Sequence, residues 1–233
     1  MRIARLAEEV ELAQPLSPET REQARGALTR AFAEAARMPG NLLCFERLDE
    51  LVETARQIAA NVEALPDGLY DFKGSRAPET HRIDHPIDTT IAGLHVGRGL
   101  LDDSDLTEQL AIGLFLQDIG MLGLPPAIVH KREPLNQPER ELMMRHPERG
   151  LAFLRDERIG ALARSVVLSH HERWDGGGYP HGLAGDEISA FARLAAVARA
   201  FCDGDVAALR AGSGSALDPA LAQAFCDVVA PPG

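Results

Sequence analysis

Five histidines of this sequence are spaced in ways that suit metal binding. His81 and His85 are four residues apart, which places both on one face if the segment is helical, and His170 is followed directly by His171. His146 lies between these pairs, in the stretch RHPERG. Imidazole nitrogens suit borderline transition metals, and a helical bundle can direct several of them inward. The spacings match no short zinc signature such as HExxH, so they indicate a metal site without identifying the metal.

Asp118 adds a carboxylate to this set. It continues the helical spacing of Leu106, Leu110 and Leu114, which predicts an acidic side chain on an apolar helix face. A buried carboxylate costs several kcal/mol unless a cation or hydrogen-bond donors meet it. We therefore expect a positive group opposite Asp118.

The spacing of apolar residues predicts helices along most of the chain. Ser17 is expected to cap the first helix, with Pro18 at its first position and Pro39 beyond its end, and a second helix is expected to stop at Pro66. Further helices are predicted over residues 85–103, 106–122, 137–155, 160–168, 189–203 and 219–229. In no segment do apolar and polar residues alternate with period two for long enough to require a strand. We therefore predict an all-α bundle with an N-terminal helical hairpin.

Composition narrows the possible partners and compartment. The chain has 233 residues, 45% of them hydrophobic, which is enough for one large helical domain. Its formal net charge of -11 is offset by no cluster of basic residues, so we expect no nucleic-acid partner.

Cys44, Cys202 and Cys226 match no CxxC spacing, which favours reduced thiols. No apolar run approaches the roughly 18 residues of a membrane span, so we predict a cytoplasmic protein that does not bind membranes.

His170 and His171 begin the stretch HHERWDGGGYP, residues 170–180, in which three glycines, a tyrosine and a proline follow. Its glycines permit close backbone approach and its proline stiffens the turn. With LQDIGMLGLPPAIVHKREPL and MMRHPERG, which keep the same order and spacing, it resembles the signature of the HD-GYP family, a branch of the HD phosphohydrolases. The resemblance implies an HD-superfamily helical bundle that binds two or three metal ions, often iron or manganese, and hydrolyses the bacterial second messenger cyclic di-GMP. It divides the chain into flanking helices and linker, residues 1–75, and the HD-GYP-like domain, residues 76–233.

The resemblance also implies roles for individual residues. Asp118 is implied to be the carboxylate that bridges the metal ions, and the implied histidine ligands are His85, His146, His170 and His171. A loop facing the substrate or a GGDEF-domain protein, the class that makes cyclic di-GMP, is implied for Trp174, Asp175, Gly178, Tyr179 and Pro180.

Four positions depart from the pattern that the resemblance implies. Gln117 stands where the histidine of the His-Asp pair is expected, and Met121 replaces a lysine that can stabilise the phosphate. Arg199 occupies the position of an aspartate that completes the first metal centre, and we expect its guanidinium to face inward and pair with Asp118 or its neighbours. His81 falls where many members have glutamate for an optional third metal.

These departures decide the predicted function. Asp118, His146, His170 and His171 would still hold one divalent metal ion, whereas the other centre keeps only His85 and a share of Asp118. We predict a catalytically impaired HD-GYP domain that acts by binding cyclic di-GMP, a related dinucleotide or a GGDEF-domain partner. The alternative is an active phosphodiesterase whose first metal centre is rebuilt with His81 or Gln117.

Overall fold

The computed structural model describes residues 15–37, 45–65, 81–101, 103–131, 133–154 and 159–229, and within them the chain is helical. The described residues form no strand, only two isolated bridges. The predicted all-α class is confirmed. The helices are α1 Pro18–Arg37, α2 Phe45–Glu63, α3 His81–Gly97, α4 Ser104–Leu116, α5 Pro126–Val129, α6 Gln137–Met143, α7 His146–Phe153, α8 Ala161–Ser169, α9 Ala190–Gly204, α10 Val206–Gly212 and α11 Pro219–Val229.

Side-chain caps set several of the helix starts. As predicted, α1 begins at Pro18, and Ser17 Oγ accepts a hydrogen bond of 3.1 Å from the backbone N–H of Thr20. Asp103 caps α4 and Ser189 caps α9 in the same way. Each cap pairs a backbone N–H that has no partner inside the helix.

Helix α4 lies at the centre of the bundle. From Leu110 to Leu116 every residue of α4 is buried, and the helix packs against α2, α3 and α8. Helix α9 packs on α3 and α8. The central position of α4 fixes the short segment that follows it, which carries Asp118.

The first two helices pack on each other, and α1 also packs on α3. Arg21 contacts Asp88 at 2.6 Å, and Arg25 contacts Asp84 at 2.7 Å, so two ion pairs join α1 to α3. The predicted hairpin is therefore part of the wall around the bundle. The predicted boundary between residues 75 and 76 lies outside the described residues.

Three predicted helices are wrong in extent. The helix predicted over residues 85–103 begins at His81 and ends at Gly97. The helix over residues 106–122 ends at Leu116, so Asp118 lies beyond the helix end and not on its apolar face. A 3-10 turn follows over Ile119–Gly123, where the backbone is pressed so closely against α7 that a Cβ on Gly120 would lie 1.8 Å from the carbonyl oxygen of His146. The helix over 137–155 is divided into α6 and α7, because Pro147 has no N–H to donate to the carbonyl of Met143.

Helix α10, Val206–Gly212, was not predicted. The side chain of Asp205 caps it by accepting from the backbone N–H of Ala207 at 2.7 Å. Among the residues that the structure describes, no helix is both long and apolar enough to cross a membrane.

Candidate metal centre

Three donor atoms converge between the turn after α4 and helices α7 and α8. His146 Nε2 lies 3.3 Å from Asp118 Oδ1 and 3.2 Å from His170 Nε2. His170 Nε2 lies 3.6 Å from Asp118 Oδ1. Donor atoms of a tetrahedral site with bonds of about 2.1 Å lie about 3.4 Å apart, so this triangle has the dimensions of one face of such a site. With His171, the four donor atoms lie within 4.8 Å of one another.

The break between α6 and α7 orients His146. Because Pro147 donates no hydrogen bond, the carbonyl oxygen of Met143 is available, and it lies 2.9 Å from His146 Nδ1. A carbonyl can only accept, so Nδ1 carries a proton and the lone pair of a neutral ring is on Nε2. His146 therefore presents Nε2 to the cluster.

The end of α8 orients His170 by the same principle. The last carbonyls of a helix have no partner inside it. Two of them, from Val166 and Val167, lie 3.2 and 3.1 Å from His170 Nδ1. Nδ1 again carries the proton, and Nε2 faces Asp118. Such hydrogen bonds to the outer ring nitrogen are how metal-binding histidines are held.

Electrostatics favour the ionised form of the Asp118 carboxyl and the neutral forms of the His170 and His171 rings. Burial alone would raise the pKa of the Asp118 carboxyl, yet hydrogen bonding and charge from His146 and His170 hold that pKa well below its usual range. Burial lowers the pKa of His170 although Asp118 opposes the shift, and it lowers the pKa of His171 strongly, assisted by His170 and Arg199. An ionised Asp118 carboxylate thus faces the Nε2 atoms of His146 and His170. A divalent cation at this point would replace the protons that otherwise join these atoms. The residues present fit a divalent transition metal.

His171 differs from the other two histidines because its Nδ1 is engaged by Arg199. The guanidinium Nη1 of Arg199 lies 2.8 Å from His171 Nδ1. The Tyr179 ring stacks on His171, with centroids 4.5 Å apart and planes at 17°. Arg199 thus lines the cavity, and its contact is with His171, one of the neighbours of Asp118.

His85 lines a cavity of about 200 Å³ together with Asp118, Met121 and Arg199. Among the described residues it is not part of the donor cluster, and its Nδ1 lies 3.5 Å from Asp203 Oδ1. Asp203 also lies 3.7 Å from Arg199 Nε, one helical turn along α9. Sequence reasoning missed Asp203, although its spacing of four residues from Arg199 places both on one face.

The other three positions that depart from the family pattern have different surroundings in the structure. Gln117 is fully buried, and neither polar atom of its side chain has a hydrogen-bond partner among the described residues. Met121 lines the cavity with its thioether, which can offer no proton to a phosphate. His81 is the first residue of α3, but its side chain lies outside the described residues.

The loop after His171 is held by a carboxylate that sequence reasoning also missed. Glu172 is buried, and its two oxygens accept from the backbone N–H groups of His181 at 2.7 Å and Leu183 at 3.0 Å. Gly178 is required here because a Cβ would lie 2.4 Å from the backbone nitrogen of Arg173. Burial raises the pKa of Tyr179, which keeps its hydroxyl protonated.

The other loop residues are more open. The guanidinium of Arg193 lies 5.5 Å from the centroid of the half-buried Trp174 ring. Asp175 is exposed, and the hydrogen bond from Arg173 lowers its pKa to about 2. Pro180 follows Tyr179 through a cis peptide bond.

Comparisons of the chain with known proteins show the family to which it belongs. A family model described as HD domain matches residues 77–225. A cyclic di-GMP phosphodiesterase of Pseudomonas aeruginosa is 33% identical over 158 residues, which are 65% of this chain and 38% of that protein. The cyclic di-GMP phosphodiesterase response regulator RpfG of Xanthomonas campestris pv. campestris is 30% identical over 187 residues, which are 78% of this chain and 44% of that protein. The 3'3'-cGAMP-specific phosphodiesterase 2 of Vibrio cholerae is 38% identical over 88 residues, or 37% of this chain and 17% of that protein.

The chain thus spans less than half the length of these relatives. Two solved structures share its fold. An HD-GYP-type protein of Bdellovibrio bacteriovorus has a TM-score of 0.60 at 17% identity, covering 90% of this chain and 70% of that one. A cyclic GMP-AMP phosphodiesterase of V. cholerae has a TM-score of 0.53 at 22% identity, covering 66% of this chain and 45% of that one. The family resemblance of the sequence is confirmed, and the chain belongs to the HD domain family, in its HD-GYP branch.

Proposed function

We propose that this chain is an HD-GYP domain of bacterial cyclic di-GMP signalling that has lost most of its hydrolytic activity and acts by binding a dinucleotide or a protein partner. The names of the relatives support the ligand class, since they act on cyclic di-GMP or 3'3'-cGAMP. The departures of this chain from the family pattern support the loss of hydrolysis.

One observation carries the proposal: the guanidinium of Arg199 donates to His171 Nδ1 at 2.8 Å inside the cavity. The family resemblance places a metal-binding aspartate at this position. A unit positive charge and a dication about 4 Å apart repel by roughly 8 kcal/mol at an effective dielectric constant of about 20. Arg199 therefore disfavours a second metal ion close to its guanidinium.

The same reasoning leaves room for one ion at the triangle of Asp118, His146 and His170. We propose a divalent transition metal there, iron or manganese as the resemblance implies. Such an ion, when bound, makes water a better nucleophile and stabilises charge on phosphoryl oxygens. Asp118 supplies the negative charge of the site, and the two imidazoles are held in the tautomer that exposes Nε2.

The residues that remain cannot replace the missing catalytic groups. Met121 has no proton or charge to offer where the resemblance implies a lysine, and Gln117 is buried away from a partner. Loss of one such stabilising group typically costs about 100- to 1,000-fold in rate. The combined losses support a protein that binds its ligand and turns it over slowly or not at all.

The loop over residues 170–180 is the part of the site that we propose for a GGDEF-domain partner. Its exposed tip consists of Asp175, Gly177 and the neighbouring His181, while Tyr179 packs inward on His171. The buried Glu172 holds both sides of this tip together. The loop can thus present a fixed shape without a bound metal.

The alternative function, an active phosphodiesterase with a rebuilt first centre, is favoured by one observation. His85 and Asp203 face each other at 3.5 Å in the cavity that also contains Asp118. They would supply an imidazole and a carboxylate to a second ion if Arg199 moved away.

Metal content per chain, measured on protein purified without oxygen, and cyclic di-GMP hydrolysis on the same sample separate the two functions. We expect one ion and no linear product. Two ions with turnover would establish the alternative and contradict the proposed loss of activity.

A further inference from the structure

The side chain of Arg82 contacts a histidine and lines the cavity of the metal centre. Its guanidinium lines the cavity that contains Asp118, and its Nη1 lies 2.9 Å from His130 Nδ1. A guanidinium can only donate, so this imidazole nitrogen accepts and contributes no negative charge. Among the described residues, no carboxylate lies within ion-pair distance of Arg82, and burial lowers the pKa of this residue. A partly desolvated cation of this kind is stabilised by an anion.

Arg199 lines the same cavity, and its guanidinium also contacts a histidine. Its Nη1 donates to the neutral His171 at 2.8 Å, and the nearest atom of Asp203 is 3.7 Å from its Nε. The carboxylate of Asp203 is shared with His85, 3.5 Å away. Two guanidinium groups therefore line one cavity, each oriented by an imidazole. Within the described part of the chain, a carboxylate lies near Arg199 but not near Arg82.

The cavity has room for a small anion and has apolar walls. It measures about 200 Å³, below the roughly 300–1,000 Å³ of sites that enclose drug-sized ligands. Leu28, Phe32 and Phe115 form its apolar side. A second cavity of about 410 Å³ shares Phe32 and Met121 with the first and includes His130. Arg82, which is bound to His130, thus lies where the two cavities adjoin.

We propose that Arg82 and Arg199 bind a phosphate group of a nucleotide directly, while the sugar and base extend along Phe32 and Met121 into the second cavity. The inference rests on the proposed function for the nucleotide character of the ligand. Planar guanidinium groups match phosphate oxygens through paired hydrogen bonds, and aromatic side chains accept bases without sequence preference. In this arrangement two guanidinium groups bind the phosphate in the cavity for which the family resemblance implies a second metal ion.

Calorimetric titrations in EDTA test the proposal, because chelation removes any contribution of a metal. The probes are cyclic di-GMP, guanosine 5'-monophosphate and guanosine, each titrated into the full chain. We expect at least one phosphorylated probe to bind, with guanosine at least tenfold weaker. Arg82→Gln and Arg199→Gln should each weaken the phosphorylated probe at least tenfold, and Arg82→Lys should lose less because it keeps the charge without the paired donors.

Arg210→Gln is the matched control, since Arg210 is exposed on α10 and should leave the affinity unchanged. His130→Ala should weaken binding less than Arg82→Gln, because it removes the orienting acceptor and leaves the charge. Circular dichroism melting of every variant shows that it is folded. The inference is overturned if guanosine binds as tightly as its monophosphate, if folded Arg82→Gln binds normally, or if Arg210→Gln loses as much as Arg82→Gln. Binding that occurs only with added Mn²⁺ would also overturn it, while leaving the proposed metal site and function intact.

Discussion

Arg199 and His171 share a hydrogen bond of 2.8 Å between Nη1 and Nδ1. Because the guanidinium only donates, Nδ1 uses its lone pair, and the proton of the neutral ring is on Nε2. His171 therefore has no lone pair left for a metal as long as Arg199 holds it. The two residues form a structural alternative: His171 binds either the guanidinium or an ion.

Removing this competition should strengthen metal binding. In Arg199→Ala, His171 is free to join Asp118, His146 and His170, and a neighbouring positive charge is lost. We expect Mn²⁺ to bind about tenfold more tightly in a calorimetric titration, whereas Arg210→Ala should bind as the unchanged protein does. Equal or weaker binding in Arg199→Ala would show that the guanidinium does not compete for the site.

The triangle of donor atoms predicts which residues metal binding requires. In a group whose atoms lie 3.2 to 3.6 Å apart, Asp118→Asn removes the negative charge and His146→Ala removes one donor atom. We expect each change to lower metal affinity at least 100-fold, measured as metal content after dialysis against a weak chelator. His181→Ala is the control, because His181 is exposed on the loop. Normal metal content in His146→Ala would place the ion elsewhere.

Restoring the family residues together should rebuild the second centre. The variant Gln117→His, Met121→Lys and Arg199→Asp removes the cation from the cavity and returns the groups that the resemblance implies. We expect the metal content per chain to rise from one to two, with cyclic di-GMP hydrolysis detectable by chromatography. A folded variant that still holds one ion would mean that His85 and the backbone around it have moved out of reach.

Gly120 is predicted to be essential for the fold of the site. A Cβ at this position would lie 1.8 Å from the carbonyl oxygen of His146, so Gly120→Ala must push α7 away from the turn. Overpacking of this kind typically costs about 1–3 kcal/mol, and we expect the upper part of that range in urea unfolding. Gly99→Ala is the control, because its nearest contact is an ordinary 3.5 Å. Unfolding midpoints that agree for the two variants would contradict this account.

Arg25 is predicted to hold α1 against α3. It contacts Asp84, which is fully buried, at 2.7 Å. Removing one partner of a buried pair costs about 3–5 kcal/mol, but the Arg25 side chain is 34% exposed, so water offsets part of the loss. We expect Arg25→Met to lower the free energy of unfolding, measured in urea, by about 2 kcal/mol. This value lies below the range for buried pairs because Arg25 is partly exposed to water. Arg37→Met, at an exposed position of α1, should change it by less than about 0.5 kcal/mol.

Much of the site could be predicted from the sequence because its signals are local. Ser17 and Pro18 start α1 through interactions within one helical turn, and the histidines and Asp118 are recognised by residue type and spacing. The departures at Gln117, Met121 and Arg199 are also visible without a structure, since each is a change of chemical type at a position that the family pattern defines.

Only the tertiary structure decided how these groups are connected. The hydrogen bonds from Arg82 to His130 and from Arg199 to His171 join residues 48 and 28 positions apart, and no local preference encodes them. The turn that follows the end of α4 depends on the approach of Gly120 to α7. The contact of His85 with Asp203 depends on the packing of α3 against α9. Residue type determined which chemistry was available, while packing between distant helices determined which partner each charged group found.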